Sequence, residues 1–426
     1  MKKSLIALAA LAAVAAAQAQ ESSVTFYGIL DVAVGTVDKS FSVDSSFPAS
    51  VNPVTQNKAP SHVYGMFNGG ISGSRWGVKG VEDLGGGMKA FFTLESGINV
   101  TTGEASNAAQ SLVNNSTSNV TASAASSVSG QLFSRQAFVG LSDKDLGSVQ
   151  FGRNYAPIFD IAAAYDPVQA AQLFSPLGFS GTFGGGGGVT DDTRVDNSVK
   201  YGNKIGDFNF GAMYKFGGIA GGISQGSAYA VNAGYEANGL GIQVAYEQFK
   251  DAQTGSAMAK AGSAPGVKVT LEDTRAYMVA AKYAVTADIN VKAGFEQYQT
   301  QAPSDPSLAA GITSYYGFAV DTVSVANATQ AVNILYAGGD WNVLPQLNLA
   351  VGAYNVKYDT SLATATGLGN AGTNGDIWEA SFLADYHLSK RTDTYFGYMY
   401  SKYTGPKFAG YNDTNFITAV GIRHKF

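Results

Sequence analysis

The stretch 415–426, "NFITAVGIRHKF", alternates with a period of two up to its last residue. Phe416, Val420, Ile422 and Phe426 fall on one face, and Ala419, Gly421, Arg423 and Lys425 fall on the other. One apolar face and one small or charged face is the pattern of a half-buried strand. A terminal segment is ordinarily disordered unless something ties it down, and a last strand is tied down by a pairing partner. The rest of the chain has to supply that partner.

Working back from this stretch, the same alternation recurs in paired runs joined by short turns. Residues 74–97 turn at Asp83 to Gly87, 134–155 at Asp143 to Gly147, and 194–216 at Asn203 to Asp207. Residues 228–249 turn on Asn238-Gly239, a strong hairpin signal, and 275–298, 332–356 and 377–403 repeat the plan. With an opening strand at 24–35, "VTFYGILDVAVG", and the closing one, the count is sixteen. The links between hairpins are mostly long and polar: Val37 to Gly70, Thr101 to Gly130, Tyr155 to Thr193, Asp251 to Leu271 and Thr300 to Gln330. Short turns at one rim and long loops at the other are the arrangement of an outer-membrane barrel. The partner of the last strand is then the first, because closure leaves no exposed edge.

Composition agrees. Charged residues are only 14%, Gly numbers 52, and Tyr with Phe reach 47, while mean hydropathy is zero. That excludes a helical membrane protein and a disordered chain. There is no cysteine, so neither a disulfide framework nor a thiolate metal site is available. The first residues, "MKKSLIALAALAAVAAAQAQ", carry Lys2 and Lys3, an apolar run and the small ending Ala17-Gln18-Ala19. This reads as a secretory signal peptide over 1–19, leaving a single barrel domain over 20–426. Without the leader, 25 basic residues stand against 32 acidic ones, a net charge of −7, which disfavours nucleic-acid binding. No later stretch approaches the roughly 18 apolar residues of a spanning helix, so entry into a membrane requires a closed barrel.

Faces are consistent along the strands. In 288–297, Ile289, Val291, Ala293 and Phe295 oppose Asn290, Lys292 and Glu296; in 377–388, Trp378, Phe382, Tyr386 and Leu388 oppose Glu379, Ser381, Asp385 and His387. A soluble sandwich would alternate too, with its apolar face inside. Strand count, leader, loop asymmetry and the aromatic strand end from Tyr395 to Tyr403 favour the barrel.

The runs "VTFYGILDVAV", "GSRWGVKGVEDLGGGMKAFFTLESG", "SRQAFVGLSDKDLGSVQFGRNYAP" and "RVDNSVKY", with the terminal Phe, resemble the general trimeric porins of Gram-negative outer membranes, in particular the branch with anion-selective members. The resemblance covers the whole chain after the leader. It implies an all-β, sixteen-stranded antiparallel transmembrane barrel whose third long loop, 155–193, folds inward to narrow a water-filled lumen. It implies a homotrimer in outer-membrane lipid and lipopolysaccharide, passing small hydrophilic solutes and ions. Phe426 would be read by the outer-membrane insertion machinery.

In the family, arginines on the barrel wall face carboxylates on the inward loop. Motif matching makes the wall residues Arg75, Arg135 and Arg194, and the loop carboxylates Asp160 and Asp166. Arg75 shares a face with Lys79, opposite Trp76 and Val78, so both should point into the lumen; Arg194 lies opposite Val195 and Val199. Arg135 shares parity with Val139 and Leu141, so its assignment rests on the resemblance. Arg153, in step with Val149 and Phe151, is a further candidate pore-lining residue. The loop lacks the family's frequent Pro-Glu-Phe-Gly motif, which weakens its acidic side, and the expectation is a weak-to-moderate anion preference.

Other motifs carry less. "GISQG" (Gly222 to Gly226) matches a nucleophile elbow but sits between two strands rather than at a strand-to-helix turn. "GLGNAG" (Gly367 to Gly372) lacks the strand–helix unit of a dinucleotide site. His62, His387 and His424 show no metal-ligand spacing. The five-glycine run, Gly184 to Gly188, serves either flexibility or close backbone packing. Neither catalysis, nor a cofactor, nor a metal is expected. The rival readings are a substrate-specific porin with a saturable site, an outer-membrane barrel enzyme, and a plugged adhesin barrel.

Overall fold

The structure, a computed structural model, describes residues 22–39, 61–103, 105, 132–177, 194–258, 266–315, 318–361, 374–406 and 414–426. The leader over 1–19, the Gly184 to Gly188 run and the Gly367 to Gly372 motif lie outside them. The strands are β1 (Ser23–Lys39), β2 (Ser61–Asn68), β3 (Arg75–Gly85), β4 (Met88–Gly97), β5 (Gln136–Asp143), β6 (Gly147–Tyr155), β7 (Arg194–Ile205), β8 (Phe208–Lys215), β9 (Ala228–Ala237) and β10 (Leu240–Met258). There follow β11 (Gly266–Ala284), β12 (Ile289–Gln301), β13 (Ser314–Tyr315), β14 (Phe318–Val325), β15 (Thr329–Leu344), β16 (Leu347–Ser361), β17 (Gly375–His387), β18 (Thr392–Thr404) and β19 (Thr414–Lys425). Among the described residues an α-helix, α1 (Pro157–Tyr165), lies between β6 and β7.

Each wall strand pairs antiparallel with its neighbour, and β1 pairs with β19 over Ile29↔Lys425 to Val37↔Ile417. β2 and β3 are two halves of one wall strand, both antiparallel to β1. The short hairpin β13–β14 leaves the wall and lays β14 parallel to the outer end of β11. Sixteen antiparallel strands therefore close the barrel.

The ladder takes in the final residue. The Phe426 N–H donates to the Gly28 carbonyl and the Gly28 N–H to the Phe426 carbonyl, both at 3.1 Å. The Phe426 ring lies over Gly28 and 5.6 Å from the Phe26 ring.

The alternation is inverted relative to a soluble protein. Val24, Phe26, Val34, Val139, Phe151, Val231, Val279, Leu335, Val351, Trp378, Val420 and Ile422 face outward and exposed. The inward-facing set is polar or sealed, including Asp31, Glu95, Glu247, Lys292, Glu296, Glu379 and Asn415. Hydrocarbon outside and polar groups inside distinguish this barrel from a sandwich. Phe208, Tyr283, Trp341 and Tyr386 cluster outward near the short-turn rim, and Tyr64, Tyr229 and Trp378 near the other, as two interfacial belts require. No helix among the described residues is long and apolar enough to cross a membrane.

Three links differ from the sequence reading. The expected link Val37 to Gly70 contains β2, because β1 continues to Lys39 and its outer half needs a partner. β10 and β11 extend into the expected link Asp251 to Leu271, past an irregularity between Phe249 and Ala252. The link Thr300 to Gln330 carries a short 3-10 helix, Pro306–Gly311, and the β13–β14 hairpin. The "GISQG" segment is a turn between β8 and β9, with Gly222 N–H bonded to the Ile219 carbonyl.

A β-carbon at Gly28 would stand 2.3 Å from Phe426 Cζ and 2.7 Å from the Arg75 carbonyl. Gly28→Val should therefore cost about 1–3 kcal/mol through overpacking at the seam. The urea midpoint of the detergent-solubilised barrel should fall accordingly; an unchanged midpoint would mean the seam has slack.

Candidate functional site

The loop after β6 enters the lumen at Tyr155. Pro157 occupies the first helical turn, where its missing N–H costs nothing. Ile158, Ile161, Ala162 and Tyr165 recur at helical spacing and bury one face against β9, β10 and β11. Each large side chain so buried contributes on the order of 1.5–3 kcal/mol. Asp166-Pro167 ends the helix, since the residue before a proline avoids helical backbone.

Asp166 then fastens the loop to the wall. Its carboxylate accepts from Tyr354 Oη at 2.8 Å and from the Ala170 N–H at 2.6 Å, and its carbonyl accepts from Lys292 Nζ at 3.1 Å. It is wholly buried, a position that faces the wall and not the passage. Two wall glycines admit the loop: a β-carbon at Gly338 would meet Pro167 at 2.7 Å, and one at Gly397 would meet the Phe174 ring at 2.3 Å. Beyond them the Leu173 N–H donates to the Gly70 carbonyl at 2.9 Å. The described half of the loop has by then travelled from β6 around to the β2–β3 junction.

Asp160, on α1, is exposed and bonds to Lys200 Nζ at 2.5 Å; the same ammonium donates to the Tyr155 carbonyl at 2.9 Å. It is the described loop carboxylate that reaches the passage.

On the wall between β3 and β7, the arginines converge. Arg135 Nε donates to Glu95 Oε1 at 2.7 Å, and its Nη2 to Tyr155 Oη at 2.8 Å. Tyr155 Oη donates in turn to Glu95 Oε1 at 3.1 Å, while Tyr27 Oη donates to Oε2 at 3.0 Å. Arg75 Nη1 stands 4.0 Å from the same carboxylate. The guanidinium groups of Arg135 and Arg194 lie over the Tyr155 ring, 5.9 and 5.8 Å from its centroid. Lys79, exposed, sits 5.2 Å over the Tyr27 ring. Arg75, Arg135, Arg194 and Lys79 are thus one neighbourhood, organised around a buried glutamate and two tyrosines.

Arg135 escapes the parity rule because it precedes β5: its N–H bonds the Glu95 carbonyl before the regular pairing begins at Gln136. Arg153 follows Gly152, whose φ is +135°, and a register shift between Gly152 and Asn154 against β7. Its guanidinium closes on the Ser134 carbonyl at 2.9 Å, the Arg194 carbonyl at 3.3 Å and Asp196 Oδ1 at 2.6 Å. Glu95 was missed by sequence reasoning. The available signal was its inward parity with Thr93 at the end of a strand facing the arginine motifs.

Among the described residues, one trio could bring metal-ligating atoms together: Asp385, His387 and Asp393, within 4.8 Å of one another. Arg423 lies between the two carboxylates, donating to Asp393 at 3.0 Å and Asp385 at 3.2 Å, so the cluster is held as an ion-pair network.

A family model described as Gram-negative porin matches residues 5–406. The chain belongs to the Gram-negative porin family. This porin is 34% identical over 217 residues to an outer membrane porin protein of Bordetella pertussis, covering 51% of this chain and 48% of that protein. It is also 34% identical over 217 residues to outer membrane porin protein 32 of Delftia acidovorans, covering 51% and 50%. The match spans about half the length of these curated relatives. The anion-selective porin from Comamonas acidovorans superposes with a TM-score of 0.64 at 23% identity, over 95% of this porin and 100% of that chain. Outer-membrane expressed OmpT of Vibrio cholerae superposes with a TM-score of 0.59 at 14% identity, over 96% and 98%. At those identities the structural likeness speaks for the fold alone.

Two outcomes follow from the geometry. Glu95→Gln keeps an acceptor for Arg135 but removes the charge that offsets the arginines. In a planar bilayer under a KCl gradient, the reversal potential should move toward chloride, by on the order of twofold in permeability ratio; movement toward potassium would show that the glutamate was holding the arginines in place. Burial pushes the Asp166 carboxyl up to about 6, against hydrogen bonds from Tyr354 and Ala170 that pull it down. The folded chain keeps this proton below about pH 6, whereas the unfolded chain releases it near 4. Stability from this group is therefore fully present below about pH 4 and is lost, by about 3 kcal/mol, as pH rises through about 6. The urea midpoint of the wild type should show that fall relative to Asp166→Asn, and parallel pH profiles would remove Asp166 from the account.

Proposed function

We propose that the protein is a passive diffusion channel of the Gram-negative outer membrane, admitting small hydrophilic solutes and ions with a weak-to-moderate preference for anions. The observation that carries this reading is the arginine neighbourhood on the lumen wall, set beside an inward loop in a barrel with an apolar exterior. Arg75, Arg135, Arg194 and Arg153 bring four positive charges against Glu95 and Asp196. The loop contributes Asp160, already paired with Lys200, so this neighbourhood carries a basic excess although the chain is acidic overall. A narrow passage with low-dielectric walls focuses that field on passing ions.

In this reading Arg75 and Lys79 meet the solute, Arg135 and Arg194 supply the field from behind, and Arg153 braces the wall. Asp160 is the acidic counterpart across the passage, and Asp166 anchors the loop. The residue range 155–193 is the constriction loop of a single barrel domain over 20–426, exported through the leader over 1–19. Phe426 is the signal for the insertion machinery, and the barrel works as a homotrimer in contact with lipopolysaccharide. One similar structure is itself described as a trimer form of OmpT. The channel binds no cofactor and catalyses no reaction; selection is by size and charge.

The deciding experiment is a reversal-potential measurement on the purified protein in a planar bilayer under a KCl gradient, wild type beside Arg75→Ala plus Lys79→Ala. These are the least buried cations of the arginine neighbourhood, so their loss disturbs its packing least. Large steps with chloride preference, reduced in the double variant, are expected. Cation preference in the wild type would overturn the charge assignment, and folded protein without conductance would overturn the channel.

A further inference from the structure

Strand β1 pairs with β2 from Val32↔Asn68 outward and with β3 from Ile29↔Arg75 inward. Between those blocks the partner strand leaves the wall, and residues 69–74 fold over the lumen face of Asp31. The main chain of Asp31 is not left unpaired. The Gly69 N–H donates to its carbonyl at 2.8 Å, and Ser74 Oγ accepts from its N–H and donates to its carbonyl, each at 3.0 Å.

The carboxylate does more. Wholly buried, it accepts from the Gly70 N–H at 3.0 Å, the Ile71 N–H at 3.1 Å, the Ser72 N–H at 2.6 Å and Tyr395 Oη at 2.5 Å. Three successive amides turned onto one anion form a nest, which a neutral acceptor would not gather so tightly. Arg423 Nη1 pins the far end through Ser72 Oγ at 2.9 Å. The carbonyl of Gly70, turned away from Asp31, accepts from the Leu173 N–H of the constriction loop at 2.9 Å. Ile71, Leu173 and Phe174 are all buried in one apolar cluster.

We propose that Asp31 is a positioning residue for the constriction: it folds 69–74 into an inward shelf, and the tip of the loop rests on that shelf. The bore is then set from two sides, by the loop and by a wall segment whose shape depends on one carboxylate. This inference rests on the channel reading and names the element that holds its narrowest part.

Asp31→Asn tests it. Asparagine keeps the shape but turns an N–H₂ donor toward two of the four donors, those on one carboxylate oxygen, so the nest should open and the loop tip lose its support. In folded protein, judged by heat-modifiable electrophoretic mobility and far-ultraviolet circular dichroism, single-channel conductance should rise on the order of 1.5-fold, with a larger sugar exclusion limit in liposome swelling. Phe174→Ala withdraws the loop tip from Gly397 without touching the nest. If Asp31 acts through that tip, the double variant should conduct no more than the larger single change. Additive increases would overturn the mechanism, and wild-type conductance with an unchanged exclusion limit in Asp31→Asn would overturn the proposal. Should Asp31→Asn not fold, Tyr395→Phe removes one donor and keeps the carboxylate; a smaller rise is expected, and none would count against the shelf. A wild type that does not conduct would sink the channel reading itself, whereas a conducting wild type with an unaltered Asp31→Asn sinks this inference alone.

Discussion

An amide in hydrocarbon has no water to bond, and from that constraint most of this structure follows. Each unpaired N–H or C=O exposed to lipid would cost several kcal/mol, so a sheet entering the bilayer must close on itself. Closure is made by β19 against β1 and carried to the last residue, where Phe426 and Gly28 exchange two backbone hydrogen bonds. Once the sheet is closed, the apolar side chains must face out, and every group the lipid cannot accept is driven inward. The barrel's interior holds one apolar cluster, made by loop and wall residues together. What fills part of it is a loop.

That loop pays a desolvation cost wherever it meets the polar wall, and the wall is shaped to reduce it. Gly338 and Gly397 clear space for Pro167 and Phe174 in positions where a β-carbon would collide. Asp166 and Asp31 gather donors that would otherwise be stranded. Both carboxylates are sealed from solvent, one under the loop's beginning and the other beneath its tip. Buried charges of this kind do more for specifying one arrangement than for net stability. A loop lying on a featureless apolar wall could slide; one keyed by Tyr354, Lys292 and the Gly70 carbonyl has a single seat.

Much of the fold was legible because period two survives wherever a strand is regular. Arg75 and Lys79 could be turned inward from their neighbours alone, and the last strand's partner followed from closure. Legibility failed where the ladder is irregular. Arg135 stands one residue before its strand, and Arg153 one residue after a glycine at φ +135°. β2 was hidden inside an expected loop because the wall strand it belongs to is broken by 69–74. Asp166 reads locally as an exposed loop acid before proline, yet its partner Tyr354 is 188 positions away. Glu95 was visible as an inward residue, but nothing in its own strand says that Arg75 and Arg135, from two separate motifs, share it.

The charge arithmetic of the whole chain misleads in the same way. A net charge of −5 sums lumen, rims and loops alike, and at the exposed positions screening operates over about 8–10 Å. The wall beside the inward loop is governed instead by a few groups within contact of one another. There, two tyrosines and one carboxylate allow arginines to stack that would repel each other in isolation. Tyr155 is the hinge of this arrangement: its ring lies under Arg135 and Arg194, its hydroxyl accepts from Arg135 and donates to Glu95, and its carbonyl accepts from Lys200. The same residue ends β6 and begins the inward loop, so the chain's turn into the lumen and its concentration of positive charge are fixed at one point.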